Sequence, residues 1–122
     1  MPRKTPPAVA IIRPRIAFGS KFAVGPGKID LLRAVGTSGS ISGAARTLGM
    51  TYKRAWLLID SMNQGFGRPV VERSVGGKGG GGARLTARGE ALLRHYDDIE
   101  RACQEAATAS LALLDALKLR KD

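Results

Sequence analysis

The chain has 122 residues, 43% of them hydrophobic and 5% aromatic, enough for one domain with a modest aliphatic core. It carries 20 Lys and Arg against 10 Asp and Glu, a net charge of +10 that points to a polyanionic partner. The lone cysteine, Cys103, excludes an intrachain disulfide and fits a reducing cytoplasm.

Residues 1–8, MPRKTPPA, are Pro-rich and basic, and residues 1–14 are expected to form a flexible basic arm. No apolar run here is long enough for a signal peptide or a membrane span, so neither is expected. Residues 9–18, VAIIRPRIAF, read as extended, with Pro14 restricting any strand to an edge or a bulge. FAVGPGK, residues 22–28, reads as a turn, and Pro26 suits a first helical position. A first helix is expected over 28–39, where Ile29, Leu32 and Val35 recur at helical spacing and Gly36 and Gly39 end the run. A short second helix follows over 40–49. Thr51 is a good N-cap for a third helix running to about Phe66, stopped by Gly65, Gly67 and Pro69. A strand over 70–75, the run GGKGGGG (76–82), a strand over 83–85 and a long helix from Thr86 complete the chain.

The glycine run admits three readings. Gly77, Gly79 and Gly82 satisfy the spacing G-x-G-x-x-G, but a run of glycines does so by accident, and no helix opens directly after it. A linker between domains is disfavoured because only about 40 residues follow, short for a second domain. A hairpin tip fits best, since glycine closes turns that other residues cannot.

Residues 41–60, ISGAARTLGMTYKRAWLLID, decide between them. Gly49 supplies the tight turn that two steeply crossing helices need, and Ala45 lets their backbones approach. Ala44, Leu48, Met50, Ala55 and Leu58 fill the inward positions. This is a helix-turn-helix pattern, and Thr51, Tyr52, Lys53 and Arg54 form the turn that meets base edges in such units. Lysine and arginine can donate to guanine O6 and N7, and a helix N-terminus favours phosphate. Each has a plainer reading: Lys53 and Arg54 as solvated surface cations, Tyr52 as packed on the second helix, and Trp56 as a packing residue as much as a DNA contact. Ser42, at the start of the second helix, joins the DNA-contacting set. Residues 1–88 hold 15 basic and 3 acidic side chains, whereas residues 89–122 hold 5 and 7, so the cationic field belongs to the same part of the chain. Two strands with a cationic tip after a recognition helix make a wing. Lys78 would carry charge at the tip, with Arg73, Arg84 and Arg88 at its base. The fold class is therefore mainly α with a small β-wing: a winged helix-turn-helix over 15–85, followed by a long dimerisation helix over 86–122.

SGSISGAARTLGMTYKRAWLLIDSMNQ together with VVERSVGGKGGGGARLTARGEALL resembles the DNA-binding domain of the ModE family, molybdate-responsive bacterial transcription regulators. Its winged helix is similar to that of LysR-type regulators, which share the Ala-Ala…Leu-Gly pattern and the Leu-Thr-x-x-Gly entry to the linker helix. The resemblance spans about residues 15–110 and implies Thr51, Tyr52, Lys53 and Arg54 on a recognition helix and Lys78 on the wing. Longer members carry C-terminal molybdate-binding modules; with Asp122 as its last residue, the chain is expected to lack them and to hold no cofactor.

From Leu92 onward, Leu92, Tyr96, Ile99, Cys103, Ala106, Ser110, Leu113 and Leu117 fall at alternating steps of four and three, a heptad seam. A rod of roughly 50 Å is too long to bury against one small domain, so the expectation is a homodimer on double-stranded DNA, the alternative being a helix that folds back on its own domain. His95 and Cys103, the only His and Cys, make no metal site, and no nucleophile and base pair suggests an enzyme. Two rivals remain: a packaging protein that contacts phosphates alone, and a small oxyanion-binding protein that uses the glycine nest.

Overall fold

The structure, a computed structural model, describes residues 10–74 and 81–118. Its elements run β1 (Ile16–Phe18), β2 (Phe22–Val24), α1 (Pro26–Ser38), α2 (Ile41–Leu48), α3 (Tyr52–Phe66), β3 (Val71–Ser74), β4 (Gly82–Leu85), α4 (Ala87–Ala106) and α5 (Thr108–Asp115).

Local signals set most helix ends. Ser40 and Thr51 each accept a backbone N–H three residues on, from Gly43 and Arg54, and so cap α2 and α3. Gly39, Gly49 and Gly67 take positive φ at the ends of α1, α2 and α3. The fully buried Ala44 and Ala55 leave room for α2 and α3 to approach. Leu31, Leu32 and Val35 of α1, Ile59 and Met62 of α3, and Val70, Val71 and Ala83 around the wing complete one aliphatic core.

The expected turn over 22–28 is corrected. Residues 22–24 are β2, paired antiparallel with β1 in the register Ile16↔Val24 and Phe18↔Phe22. The turn lies one step earlier, at Gly19–Lys21, where Gly19 has φ 65. The Gly-Pro-Gly signal was outweighed by packing: Val24 is buried, and the Phe22 ring sits 5.0 Å from both Phe18 and Phe66. Gly65 does not stop α3. It lies inside the helix, where a Cβ would come within 2.4 Å of the Phe22 ring.

The wing strands β3 and β4 pair as Val71↔Leu85 and Glu72↔Arg84. Asn63 fastens β3 to α3: its Oδ1 accepts the Val70 N–H at 2.8 Å and its Nδ2 donates to the Val71 carbonyl. On the other side, Ala83 N–H donates to the Gly39 carbonyl, tying β4 to the α1–α2 corner.

Residues 10–14, expected in the flexible arm, lie along α4. Gln104 accepts the Ile12 N–H at 2.8 Å and donates to the Ala10 carbonyl, Tyr96 donates its hydroxyl to the Pro14 carbonyl at 2.8 Å, and Arg13 pairs with Asp30. The single long helix is also corrected. It breaks at Ala107, whose φ of −103° and ψ of 11° leave the helical region, and the Thr108 hydroxyl bonds back to the Gln104 and Glu105 carbonyls. Such back-bonding competes with the helical ladder and bends it.

Arg33 of α1 forms an ion pair with Asp97 of α4. The hydrogen bond from Arg33 holds the Asp97 carboxyl below its ordinary value. A lowered carboxylate pKa gives stability that is complete above the unfolded value and is lost as pH falls through the folded one. Thermal melts should therefore show an acid-induced fall below about pH 4 that is smaller in Asp97→Asn. Both side chains are about two-fifths exposed, so the difference should be slight. Superimposable pH profiles would mean that this pair does not stabilise the fold.

Candidate nucleic-acid interface

The N-terminal turn of α3 is open. Tyr52 is 47% exposed, and Thr51, Lys53 and Arg54 are exposed beside it. Among the described residues, neither Lys53 nor Arg54 is paired with a carboxylate. Thr51 uses its oxygen lone pair to cap Arg54 N–H, which leaves its hydroxyl proton free to donate outward. The N–H groups of Tyr52 and Lys53, the first two of α3, have no intrahelical partner. Two full-length cations, a phenol, a hydroxyl and a positive helix end thus converge on one exposed turn, a combination suited to phosphate oxygens and guanine edges. Ser42 is exposed in the first turn of α2, behind its own cap Ser40.

Trp56 is 39% exposed and half packed. It lines a concavity of about 100 Å³ between α3 and the wing, together with Ile41, Ile59, Val71 and Arg73. Arg73 is exposed on β3. Arg84 is not a free cation: its Nε lies 3.0 Å from the Glu72 carboxylate directly across the strand pair, so much of its field is offset at home. Arg88 is exposed in the first turn of α4. Lys78 and residues 75–80 of the wing lie outside the described residues.

The heptad seam divides. Tyr96 is corrected as a partner-facing residue, being only 2% exposed and buried against Val24 and Ile29 of its own chain. Leu92 is half-buried, packed against the aliphatic core and against the smaller cluster of Val24, Ile29 and Tyr96. Cys103 is half-buried, and Ala106 is exposed. Ile99, Leu113 and Leu117 are exposed, as is Leu114, which the heptad count passes over.

Two contributors carried no sequence signal. Asn63 sets the wing against α3, and nothing in its neighbours marks it. Lys28 donates to the Ala23 carbonyl at 2.8 Å and lies 3.2 Å from Ser61 Oγ on α3, so it braces the hairpin rather than facing solvent; burial lowers its pKa. Among the described residues, no group of three or more His, Cys, Asp and Glu side chains comes together, and no helix is long and apolar enough to cross a membrane.

Residues 27–90 match the family model of bacterial regulatory helix-turn-helix proteins, lysR family. The DNA-binding transcriptional dual regulator ModE of Escherichia coli K12 is 45% identical over 86 residues, 70% of this chain and 33% of that protein. The molybdenum-pterin-binding protein MopB of Rhodobacter capsulatus is 48% identical over 77 residues, 63% of this chain and 28% of that protein. The chain spans about a third of the length of these curated relatives. Among solved structures, the fold is shared with the DNA-binding domain of CbnR in a DNA complex, with a TM-score of 0.57 at 23% identity over 72% of this chain and 95% of that one.

Proposed function

The chain belongs to the lysR family of bacterial regulatory helix-turn-helix proteins, and from that premise we propose that it is a sequence-specific, ModE-type transcription regulator of molybdenum-related genes. It works on double-stranded DNA, in the cytoplasm, and performs no catalysis. The observation that carries this reading is the exposed turn of α3, where Tyr52, Lys53 and Arg54 stand uncovered on a helix whose opposite face is core. Residues 15–85 read the duplex. Arg73 and the wing approach the phosphate backbone beside it, with Ser42 contacting from α2. The molybdenum link comes from the name of the molybdenum-pterin-binding protein MopB and from the resemblance to the ModE family.

The chain acts as a homodimer through the C-terminal helices. Ile99 of α4, Leu113 and Leu114 of α5, and Leu117 just beyond it are exposed apolar side chains among the described residues. Two recognition helices then meet half-sites about one helical turn, ~34 Å, or a multiple of it apart.

Selection from a random duplex library at physiological salt tests both parts. Enrichment of a sequence with two symmetric halves supports the reading. Failure to enrich any sequence, with binding that follows salt alone, would make the chain a phosphate-contacting packaging protein.

A further inference from the structure

Leu57 of α3 is 51% exposed, although α3 buries Ala55, Ile59 and Met62 on its opposite side. It lies one turn after Lys53, so the two side chains share the outward face. Among the described residues, about half of its surface stays uncovered. It borders an open depression of about 570 Å³ lined by Phe18, Lys21 and Phe22 of the β1–β2 hairpin and by Ser61 and Gln64 of α3. Asp60, the one carboxylate among the described residues of this rim, accepts a hydrogen bond from Gln64 Nε2 at 2.9 Å.

A single exposed leucine is ordinary on a protein surface; what marks Leu57 is its place one turn after Lys53, on the face of α3 that carries the cations. It suits a surface that is anionic at its edges and apolar at one point. In the major groove of duplex DNA, the apolar feature that distinguishes one base from the others is the C5-methyl group of thymine. An apolar protein surface would also cover Leu57, but it would leave Lys53 and Lys21 facing no opposite charge. We propose that Leu57 is a specificity-determining residue that reads a thymine methyl group by direct apolar contact. This inference rests on the DNA-reading role of α3 and adds to it a base identity at one position of each half-site.

The test uses the duplex obtained by selection, with each thymine replaced in turn by deoxyuridine. That change removes the methyl group and keeps the base pair. Binding of the full chain is read by fluorescence anisotropy, for the wild type and for Leu57→Ala. Since Leu57 is exposed, the variant should keep the wild-type circular dichroism melt. The expected result is about fourfold weaker wild-type binding at one position per half-site, the factor set by one buried methyl group. Leu57→Ala should bind the thymine and uracil forms equally at that position. Specific binding that is indifferent to uracil everywhere would overturn the assignment, leaving the DNA-reading role intact. A loss that persists in Leu57→Ala would also overturn it, by assigning the methyl group to another residue or to duplex shape. Absence of any sequence-specific binding would remove the reading on which the inference rests.

Discussion

Gly89→Ala should destabilise the protein by about 2 kcal/mol or more, as overpacking against fixed atoms does, and lower its melting temperature by roughly 10 °C. A Cβ at this position would lie 2.1 Å from the carbonyl oxygen of Val70 and 3.1 Å from its carbonyl carbon. Both are backbone atoms, so no side chain can rotate away. The strand cannot easily retreat either. The same carbonyl accepts the Thr86 N–H at 3.0 Å, the Thr86 hydroxyl holds the Pro69 carbonyl, and Asn63 holds the Val70 N–H. The first turn of α4 would have to lift from the base of the wing. Gly27→Ala is the control: its Cβ meets nothing within 4 Å and sits in the first turn of α1, so the melt should hold or rise slightly. Circular dichroism melts of the two variants check this. A Gly89→Ala melt within about 2 °C of wild type, a shift worth well under 1 kcal/mol, would mean that α4 does not approach the wing as closely as described.

The second large effect concerns recognition. Lys53→Ala should weaken binding to the selected duplex by ~1–3 kcal/mol and change binding to a scrambled duplex far less. Lys53 stands on the exposed turn with no ion-pair partner among the described residues. A loss of affinity on truncation would therefore report a contact to DNA and not a broken internal ion pair. Arg73→Ala should behave differently. On the wing, a phosphate contact would weaken both duplexes alike and lower the slope of log affinity against log salt by about 1. Anisotropy titrations of both variants on both duplexes, over a salt series, separate the two roles. Equal losses for Lys53→Ala on the two duplexes would make it a phosphate contact.

The helix-turn-helix was legible because its determinants are local. Caps at Ser40 and Thr51, the αL turn at Gly49 and the small residues Ala44, Ala45 and Ala55 all act within a few residues of one another. The exposed turn at 51–54 followed from the same spacing. The β1–β2 hairpin was not legible. Its strands are three residues each, and the ring that makes them worth pairing, Phe66, comes from the far end of α3. Tyr96 shows the same limit from the other direction. A heptad position reads alike whether it faces a second copy or its own domain; here the deciding partner is the Pro14 carbonyl, 82 residues earlier. The pairing of Arg84 with Glu72 depends on strand register, which glycine-rich surroundings do not announce. The break at Ala107 rests on a hydroxyl bonding back to two carbonyls in a stretch whose composition favours helix throughout.

On bound duplex, the first turn of α3 should face base edges. A photo-cross-linking side chain at position 53, on the full chain bound to its selected duplex, tests it most directly. The expected result is an adduct to a base within each half-site, and a backbone adduct or none from a probe at exposed Arg101 on α4. Adducts from position 53 confined to protein, with the duplex still bound, would contradict it.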